Sequence, residues 1–175
     1  MKPRYRFVKD YTLSPLRLNN FNIIQIGRRF CSPGEVIKAH THKNYYELTI
    51  VTSGEGIVKS NGESYKIKSG EVHLSIPCDI HEIITLDNSE LEYDFLSFYC
   101  TDDELESELN KISYNLIKIN SRIIIDNKIN SLVSNCILEF STDKPYGQKI
   151  IENALSQIAV YLVRNFNNPI KENVK

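Results

Sequence analysis

The chain has 175 residues, which is enough for one domain with a hydrophobic core or for one domain with a helical extension. Its 21 Lys and Arg nearly balance its 22 Asp and Glu, so the net charge of −1 provides no basic field for binding a phosphate backbone. The four cysteines form no Cys-x-x-Cys pair, no apolar leader opens the chain, and no apolar run is long enough to span a bilayer. We therefore expect a cytoplasmic protein with reduced thiols and no membrane partner.

The first half of the chain favours β structure. Residues 1–20 mix charged and aromatic side chains without a sustained period, so we expect an N-terminal arm there. Residues 21–100 predict about eight short strands separated by turns rich in Gly, Pro, Asn and Asp. The pair Asn61-Gly62 is typical of a tight hairpin, and Gly54 and Gly56 are expected to interrupt the strand before it. Closely spaced short strands of this kind indicate a sandwich or a barrel.

The second half, residues 101–168, favours helices. Thr101 and Glu104 have the spacing of a capping box and predict a helix that ends near Tyr114. Residues 116–125 are rich in β-branched side chains and are compatible with either a strand or a connector.

Two further helices are expected, one capped by Asp126 and one after a turn at residues 141–147. Their predicted apolar faces are Ile129, Leu132, Val133, Cys136, Ile137 and Phe140 for the first, and Ile150, Ile151, Ala154, Leu155, Ile158, Leu162 and Phe166 for the second. The second stripe is broad enough for the barrel and another partner, so these helices predict a homodimer. The polar residues 169–175 are expected to be a linker at a domain boundary.

The stretch from Gly34 to Gly54 carries the residues best suited to chemistry. His40 and His42 are two positions apart, so in an extended strand their imidazoles point to the same face, and Glu47 arrives on the next strand. Two imidazoles and a carboxylate suit a first-row divalent metal such as Zn, Fe, Mn or Ni and leave coordination positions open.

These residues resemble a known family. Gly34, His40, His42, Glu47 and Gly54 match the first cupin motif at every fixed position and gap. The second cupin motif is also present: Gly70 and His81 keep the family's separation and Pro77 stands where a proline belongs. Cys78 occupies the place of the usual glycine and Thr85 the place of a frequent asparagine, so the resemblance leaves the local turn open.

Within the cupins, residues 40–83 are most similar to the N-terminal effector-binding domain of AraC-family transcription regulators. The resemblance implies a mainly β fold with C-terminal helices: a cupin double-stranded β-helix barrel over 21–100, followed by two or three helices that dimerise. It also implies that residues 169–175 lead to a DNA-binding domain absent from this chain.

The cupin resemblance adds His81 to the set and implies that His40, His42, Glu47 and His81 hold one divalent metal. AraC-like domains also use such residues as a polar lining for an organic effector, so both interpretations stay open.

Aromatic strand residues are expected to line an effector pocket, since rings bury ligand area while hydroxyls orient it. Tyr45 shares a face with Glu47, so parity favours Tyr45 over Tyr46 as the inward residue. Tyr93 and Phe95 on the closing strand are the other predicted ligand-binding residues, and Tyr99 is a further aromatic on it.

The remaining polar candidates are weaker. Only one of Arg28 and Arg29 can point inward toward an anionic effector. The fourth histidine, His73, does not fit the motif and is expected to be an ordinary strand residue.

The sequence therefore predicts a non-enzymatic sensor that binds a small effector, a sugar among the candidates, and acts on DNA only through the absent domain. A stand-alone metal-dependent cupin enzyme, an oxygenase or isomerase, is the alternative.

Overall fold

A computed structural model describes residues 4–119 and 121–167. Those residues form ten strands and three helices: β1 (Arg4–Asp10), β2 (Leu16–Arg17), β3 (Phe21–Cys31), β4 (Val36–Thr41), β5 (Tyr46–Ser60), β6 (Glu63–Lys68), β7 (Glu71–Ser75), β8 (Ile80–Thr85), β9 (Leu91–Cys100), α1 (Asp103–Ile119), β10 (Ile123–Ile125), α2 (Asn127–Thr142) and α3 (Gly147–Asn167). The chain is mainly β with C-terminal helices, as predicted. The predicted linker, residues 169–175, lies outside the described residues.

The strands form two antiparallel layers that share β5. In the first layer the order is β1-β3-β9-β5-β7-β10. In the second, β4 pairs with β8, β8 pairs with the C-terminal half of β5, and that half also pairs with β6. The two layers enclose the interior of a double-stranded β-helix barrel, which is the predicted architecture.

The expected break at Gly54 and Gly56 is a bend within β5. The strand continues through both glycines, with its N-terminal half paired to β7 and β9 and its C-terminal half to β6 and β8. Gly54 has a φ of 81°, and a Cβ at this position would lie 1.8 Å from the carbonyl oxygen of Glu90. Glycine is needed because β5 passes so close to the backbone before β9 while it changes layers.

The Asn61-Gly62 hairpin is confirmed. Asn61 has a φ of 49° and Gly62 a φ of 89°, which is the pair of left-handed residues that a type I′ turn requires. The turn joins β5 to β6 with Ser60 opposite Glu63.

Part of the predicted arm is a strand, contrary to expectation. β1 is an edge strand antiparallel to β3, and β2 pairs with β3 as well. Most residues of β1 are exposed on both faces, so the strand carries no apolar alternation that a sequence could reveal. Its Arg6 pairs with Glu92 of β9 at 2.5 Å.

The cap of α1 is Asp102 and not the predicted Thr101. The Oδ1 atom of Asp102 accepts a hydrogen bond from the backbone N–H of Leu105 at 2.9 Å. An aspartate cap also places negative charge at the positive end of the helix dipole.

The undecided segment, residues 116–125, contains both a helix end and a strand. α1 continues past the expected end at Tyr114 to Ile119, and the β-branched residues Ile123–Ile125 form β10 on the edge of β7. A short edge strand depends on its partner strand, so local preference alone could not settle it.

The helices cover the outer face of the first layer, and their buried apolar residues join those of β3, β5, β7 and β9 in one core. Asp126 caps α2 as predicted, accepting from the N–H groups of Lys128 and Ile129. The apolar stripe of α3 packs on both α1 and α2 and belongs to the same core as the strands, so its two partners lie within the chain. Ile150, expected on that stripe, is instead 48% exposed.

The four cysteines are free thiols: Cys31, Cys100 and Cys136 are buried and Cys78 is exposed. None of the helices in the described part of the chain has the length and apolar character needed to cross a membrane.

Candidate metal centre

Three histidines and a glutamate converge at one end of the barrel. His40 on β4 lies directly opposite His81 on β8, His42 follows β4, and Glu47 lies near the start of β5. The nitrogen and oxygen atoms that these side chains offer to a metal all lie within 4.8 Å of one another. Glu47 and His81 are buried, whereas His40 and His42 reach the barrel mouth.

Glu47 is held at the centre of the cluster. Its Oε1 atom lies 3.2 Å from Nε2 of His81, and its Oε2 atom lies 3.3 Å from Nε2 of His42. The hydroxyl of Ser97 donates a hydrogen bond to Oε2 at 2.8 Å. Burial by itself raises the pKa of Glu47, but the bonds from both histidines outweigh it and hold the pKa below its usual range. The carboxylate is therefore ionised and available as a ligand.

Two of the imidazoles are oriented by partners outside the cluster. Nδ1 of His40 lies 2.9 Å from the carbonyl oxygen of Lys38, and Nδ1 of His42 lies 2.6 Å from the hydroxyl of Tyr45. A carbonyl oxygen can only accept, so His40 carries its proton on Nδ1 and leaves Nε2 free to bind a metal. Such partners usually fix the ring orientation of metal-binding histidines.

The parity prediction for the two tyrosines is confirmed. Tyr45 stacks on the ring of His42 with centroids 4.5 Å apart, whereas the hydroxyl of Tyr46 donates to Oδ1 of Asn110 on α1 at 3.1 Å. Burial, followed by the charge of Glu47, raises the pKa of Tyr45 to about 12, so its phenol stays protonated. A neutral hydroxyl can donate or accept and can follow either tautomer of His42.

The donor set fits a divalent metal. Ligands about 2.1 Å from one ion lie at most about 4.2 Å apart, so the observed spread needs only a small contraction. In addition, Nδ1 of His81 is buried and makes no hydrogen bond among the described residues, and Nε2 of His42 is buried with Oε2 of Glu47 at 3.3 Å as its contact. Three imidazoles and one carboxylate are the ligands that Zn, Fe, Mn or Ni accept.

A tight turn between β7 and β8 is hydrogen-bonded to the backbone of His42 in the cluster. The N–H of Asp79 donates to the carbonyl of Ile76 at 3.1 Å, with Pro77 and Cys78 between them. Cys78 has a φ of 71°, so the cysteine itself adopts the left-handed conformation of the glycine it replaces, and the type II turn is kept. The N–H of Cys78 then donates to the carbonyl of His42 at 2.7 Å.

His73 was expected to be an ordinary strand residue but is a buried polar side chain inside the barrel. It is 1% exposed inside the barrel, with Nε2 3.0 Å from Oγ of Ser60, while its Nδ1 has no partner in the described structure. Burial, helped by electrostatic interaction with His81 and with the guanidinium of Arg122, lowers the pKa of His73 to about 3, so the ring is neutral. The pairing of β7 with β5 places it inward: Ser75 lies opposite Glu47, and His73 shares the face of Ser75.

Tyr93 and Phe95 are buried, as Glu47 and His81 are. Their rings contact each other at 6.3 Å and belong to an apolar cluster with Val51 and Leu91. They share a face of β9 with Ser97, the residue that holds Glu47, so parity could have identified Ser97 from the sequence. Tyr93 and Phe95 are buried in the apolar interior of the barrel, and their role in binding an effector stays a prediction.

Arg28 and Arg29 point to opposite faces of β3, as expected for neighbouring residues of a strand. Arg28 faces the helices and binds Asp94 through two bonds of 2.6 and 2.9 Å, whereas Arg29 faces inward and pairs with Glu35 at 3.0 Å. Nε of Arg29 is buried without a hydrogen bond among the described residues.

A cavity of about 590 Å³ lies beside the cluster and shares Tyr45 with it. Tyr99 of β9 and Thr12 and Pro15 of the loop after β1 also line it. The arm residues therefore reach the pocket, and the volume falls in the range of small-molecule sites.

A barrel of two antiparallel layers, three imidazoles and a carboxylate at its mouth, and helices on one outer face together define a cupin-type domain. The match to known families is consistent with this class: residues 22–158 match the AraC-like ligand binding domain. The chain belongs to that family.

Among individual proteins, the chain is 31% identical to the oxalate-binding protein of Thermotoga maritima over 61 residues, which are 35% of this chain and 50% of that protein. The chain thus spans about half the length of the curated relative it matches. It is similar to the structure of a predicted oxalate decarboxylase of Thermotoga maritima, with 22% identity, a TM-score of 0.41, and coverage of 52% of this chain and 96% of that one. A cupin protein of Bacteroides fragilis gives 18% identity, a TM-score of 0.41, and coverage of 46% and 66%.

Proposed function

We propose that this chain is the effector-sensing and dimerisation domain of a cytoplasmic AraC-family transcriptional regulator. The observation that supports the proposal most is the match to the AraC-like ligand binding domain over residues 22–158. A helix-turn-helix domain encoded beyond Lys175 would then bind the DNA. Sequencing the natural gene past this codon tests the proposal directly, because an open reading frame without such a domain would contradict it.

The sensor works by linkage. An effector that binds one arrangement of barrel and helices better than another shifts the population by that difference in affinity. The cluster and the cavity beside Tyr45 are the proposed effector site, and Tyr93 and Phe95 are further proposed ligand-binding residues. The oxalate-binding relative makes oxalate the first ligand to test, and sugars follow from the resemblance to AraC.

We further propose that His40, His42, Glu47 and His81 hold a divalent metal, which when bound supplies a positive charge for an anionic or hydroxyl group of the effector. The protein supplies the orientation, through Lys38 and Tyr45, and an ionised carboxylate. Elemental analysis of protein purified without chelator is expected to find about one Zn, Fe, Mn or Ni per chain. A metal-free preparation that still binds effector would favour the polar-lining role instead.

Dimerisation is assigned to residues 101–168. Leu138 of α2 and Ile150 and Val160 of α3 are apolar and exposed, and an isologous contact between two such faces would cover them. Sedimentation equilibrium is expected to give a dimer at micromolar concentration, and a strict monomer at high concentration would refute this part.

In the full-length regulator, Glu47→Gln is expected to abolish the effector response and to leave basal DNA binding intact, because the change removes the central carboxylate without removing the fold. Loss of both activities together would indicate that Glu47 only supports folding.

The second candidate function, a metal-dependent cupin enzyme, is favoured by the same complete set of four ligands with two histidines at the mouth. Its discriminating test is turnover: metal-loaded protein that converts oxalate or consumes dioxygen with a substrate would support an enzyme, whereas stoichiometric binding without turnover supports the sensor.

A further inference from the structure

Arg122, which directly precedes β10, contacts the turn between β7 and β8. Arg122, in the connector between α1 and β10, is 7% exposed and binds the carboxylate of Asp79, which is 3% exposed. Its backbone is anchored too, because its carbonyl accepts from the N–H of Leu74 on β7 at 3.0 Å. Arg122 therefore joins the helical part of the chain to the turn between β7 and β8.

Asp79 organises that turn. Besides Arg122, its carboxylate accepts from the N–H of Ile76 at 2.9 Å and from Nδ2 of Asn61 at 2.7 Å. Asn61 also accepts from the N–H of Ile80 at 2.9 Å, so the hairpin tip between β5 and β6 is fastened to the same place. A carboxylate this deeply buried is stable only beside a cation. If Arg122 moves away, the turn held by Asp79 is therefore expected to lose its hydrogen bonds as well.

The turn between β7 and β8 positions two of the three cluster histidines. The N–H of Cys78 holds the carbonyl of His42 at 2.7 Å, and the strand that leaves Asp79 carries His81 two residues later. A shift of this turn would therefore move both imidazoles relative to Glu47.

We propose that Arg122 is a positioning residue for the metal centre and that, through Asp79 and the turn, it couples occupancy of the cluster to the helical element. Since coupling is reciprocal, a ligand or metal that fixes His42 and His81 also fixes the connector, and displacement of the connector weakens the cluster. The inference deepens the proposed sensor function and rests on it for its biological meaning, but its first test needs neither metal nor DNA.

That first test is amide hydrogen exchange in metal-free protein. Arg122→Met keeps the length and apolar stem of the side chain but removes its charge. The Cys78 amide, whose acceptor is the carbonyl of His42, is expected to exchange about tenfold faster in the variant because the turn opens locally.

The matched control is Arg28→Met. It also removes an arginine from a buried carboxylate, Asp94, which is 1% exposed, but this pair lies on the helix side of the first layer, away from the turn. Exchange at Cys78 that is as slow in Arg122→Met as in Arg28→Met would overturn the inference. Should Arg122→Met fail to fold, Arg122→Lys keeps a charge and is expected to give an intermediate rate.

The second test is titration with Co²⁺ alone, followed by its visible absorption. Affinity is expected to fall about tenfold in Arg122→Met, to recover partly in Arg122→Lys and to stay unchanged in Arg28→Met. Equal affinities in all four proteins would refute the positioning role. If the parent protein binds no Co²⁺, the metal part of the proposed function fails, and hydrogen exchange at Cys78 still decides the role of Arg122.

Discussion

Replacing His73 by glutamine should make the protein less sensitive to acid. The imidazole is buried, and its pKa is lowered from 6.5 to about 3. Because the folded pKa lies below the unfolded one, the unfolded chain takes up the proton first, and stability falls as the pH drops below about 6.5. At pH 7.5 the group is neutral in both states and contributes almost nothing.

The magnitude follows from linkage. Between an unfolded pKa of 6.5 and pH 5 there are about 1.5 pH units at about 1.36 kcal/mol each, which gives a loss of about 2 kcal/mol at pH 5. Any folded pKa below about 4 gives the same loss at pH 5, so the result depends on burial of a neutral ring and hardly on the exact value.

Urea unfolding at pH 7.5 and pH 5, followed by circular dichroism, measures this loss in both proteins. The parent is expected to lose about 2 kcal/mol more than His73→Gln between the two values. The lowered pKa values of His40 and Glu47 are present in both proteins and cancel in the comparison. Equal losses in parent and variant would refute the reasoning and imply that His73 reaches water or a proton acceptor.

Three further predictions concern backbone strain and the partner of His42. Cys78→Gly should stabilise the fold by about 1 kcal/mol, because glycine adopts the left-handed φ of 71° without strain. The variant should therefore have a Tm higher by about 2–4 °C. An unchanged or lower Tm would show that the backbone at Cys78 is not strained. Gly54→Ala should lower the free energy of unfolding in urea by more than about 2 kcal/mol, because the new Cβ would lie 1.8 Å from a carbonyl oxygen. Gly62→Ala is the control: Gly62 also has a positive φ, of 89°, but open space around it, so its loss should be smaller. Equal losses would exclude the clash as the cause. Tyr45→Phe should weaken metal binding about tenfold in competition with a chromophoric chelator, since it removes the hydroxyl bound to His42. The control Tyr46→Phe loses only its bond to α1 and should bind as the parent does, so a similar loss in both variants would argue against an orienting role for Tyr45.

Features that depend on residues close together in the chain could be predicted from the sequence. Parity with Glu47 predicted Tyr45 rather than Tyr46 as the inward residue, because successive side chains of an extended chain point to opposite faces, and Tyr45 indeed contacts His42. Asp126 as a cap and Asn61-Gly62 as a hairpin follow from bonds and backbone angles within a few residues.

Features that depend on long-range contacts could not be predicted in this way. Gly54 predicted a break because glycine weakens strands locally, but the partner strands on both sides carry β5 through it. The strand β1 forms because β3 offers an edge, although its own residues show no alternation.

The amino-acid sequence by itself determined the strands of residues 21–100, the helices that follow them, and the set of His40, His42 and Glu47, because each of these is written in short spacings. His81, 34 positions from Glu47, was added by the resemblance to the cupins. Only the tertiary structure decided that Ser97 holds Glu47, that His73 lies inside the barrel, and that Arg122 reaches Asp79. Arg122 and Asp79 are 43 positions apart, and no periodicity links them. Their pairing exists because closing the barrel buries a carboxylate beside the connector, and a buried charge requires a partner of the opposite sign.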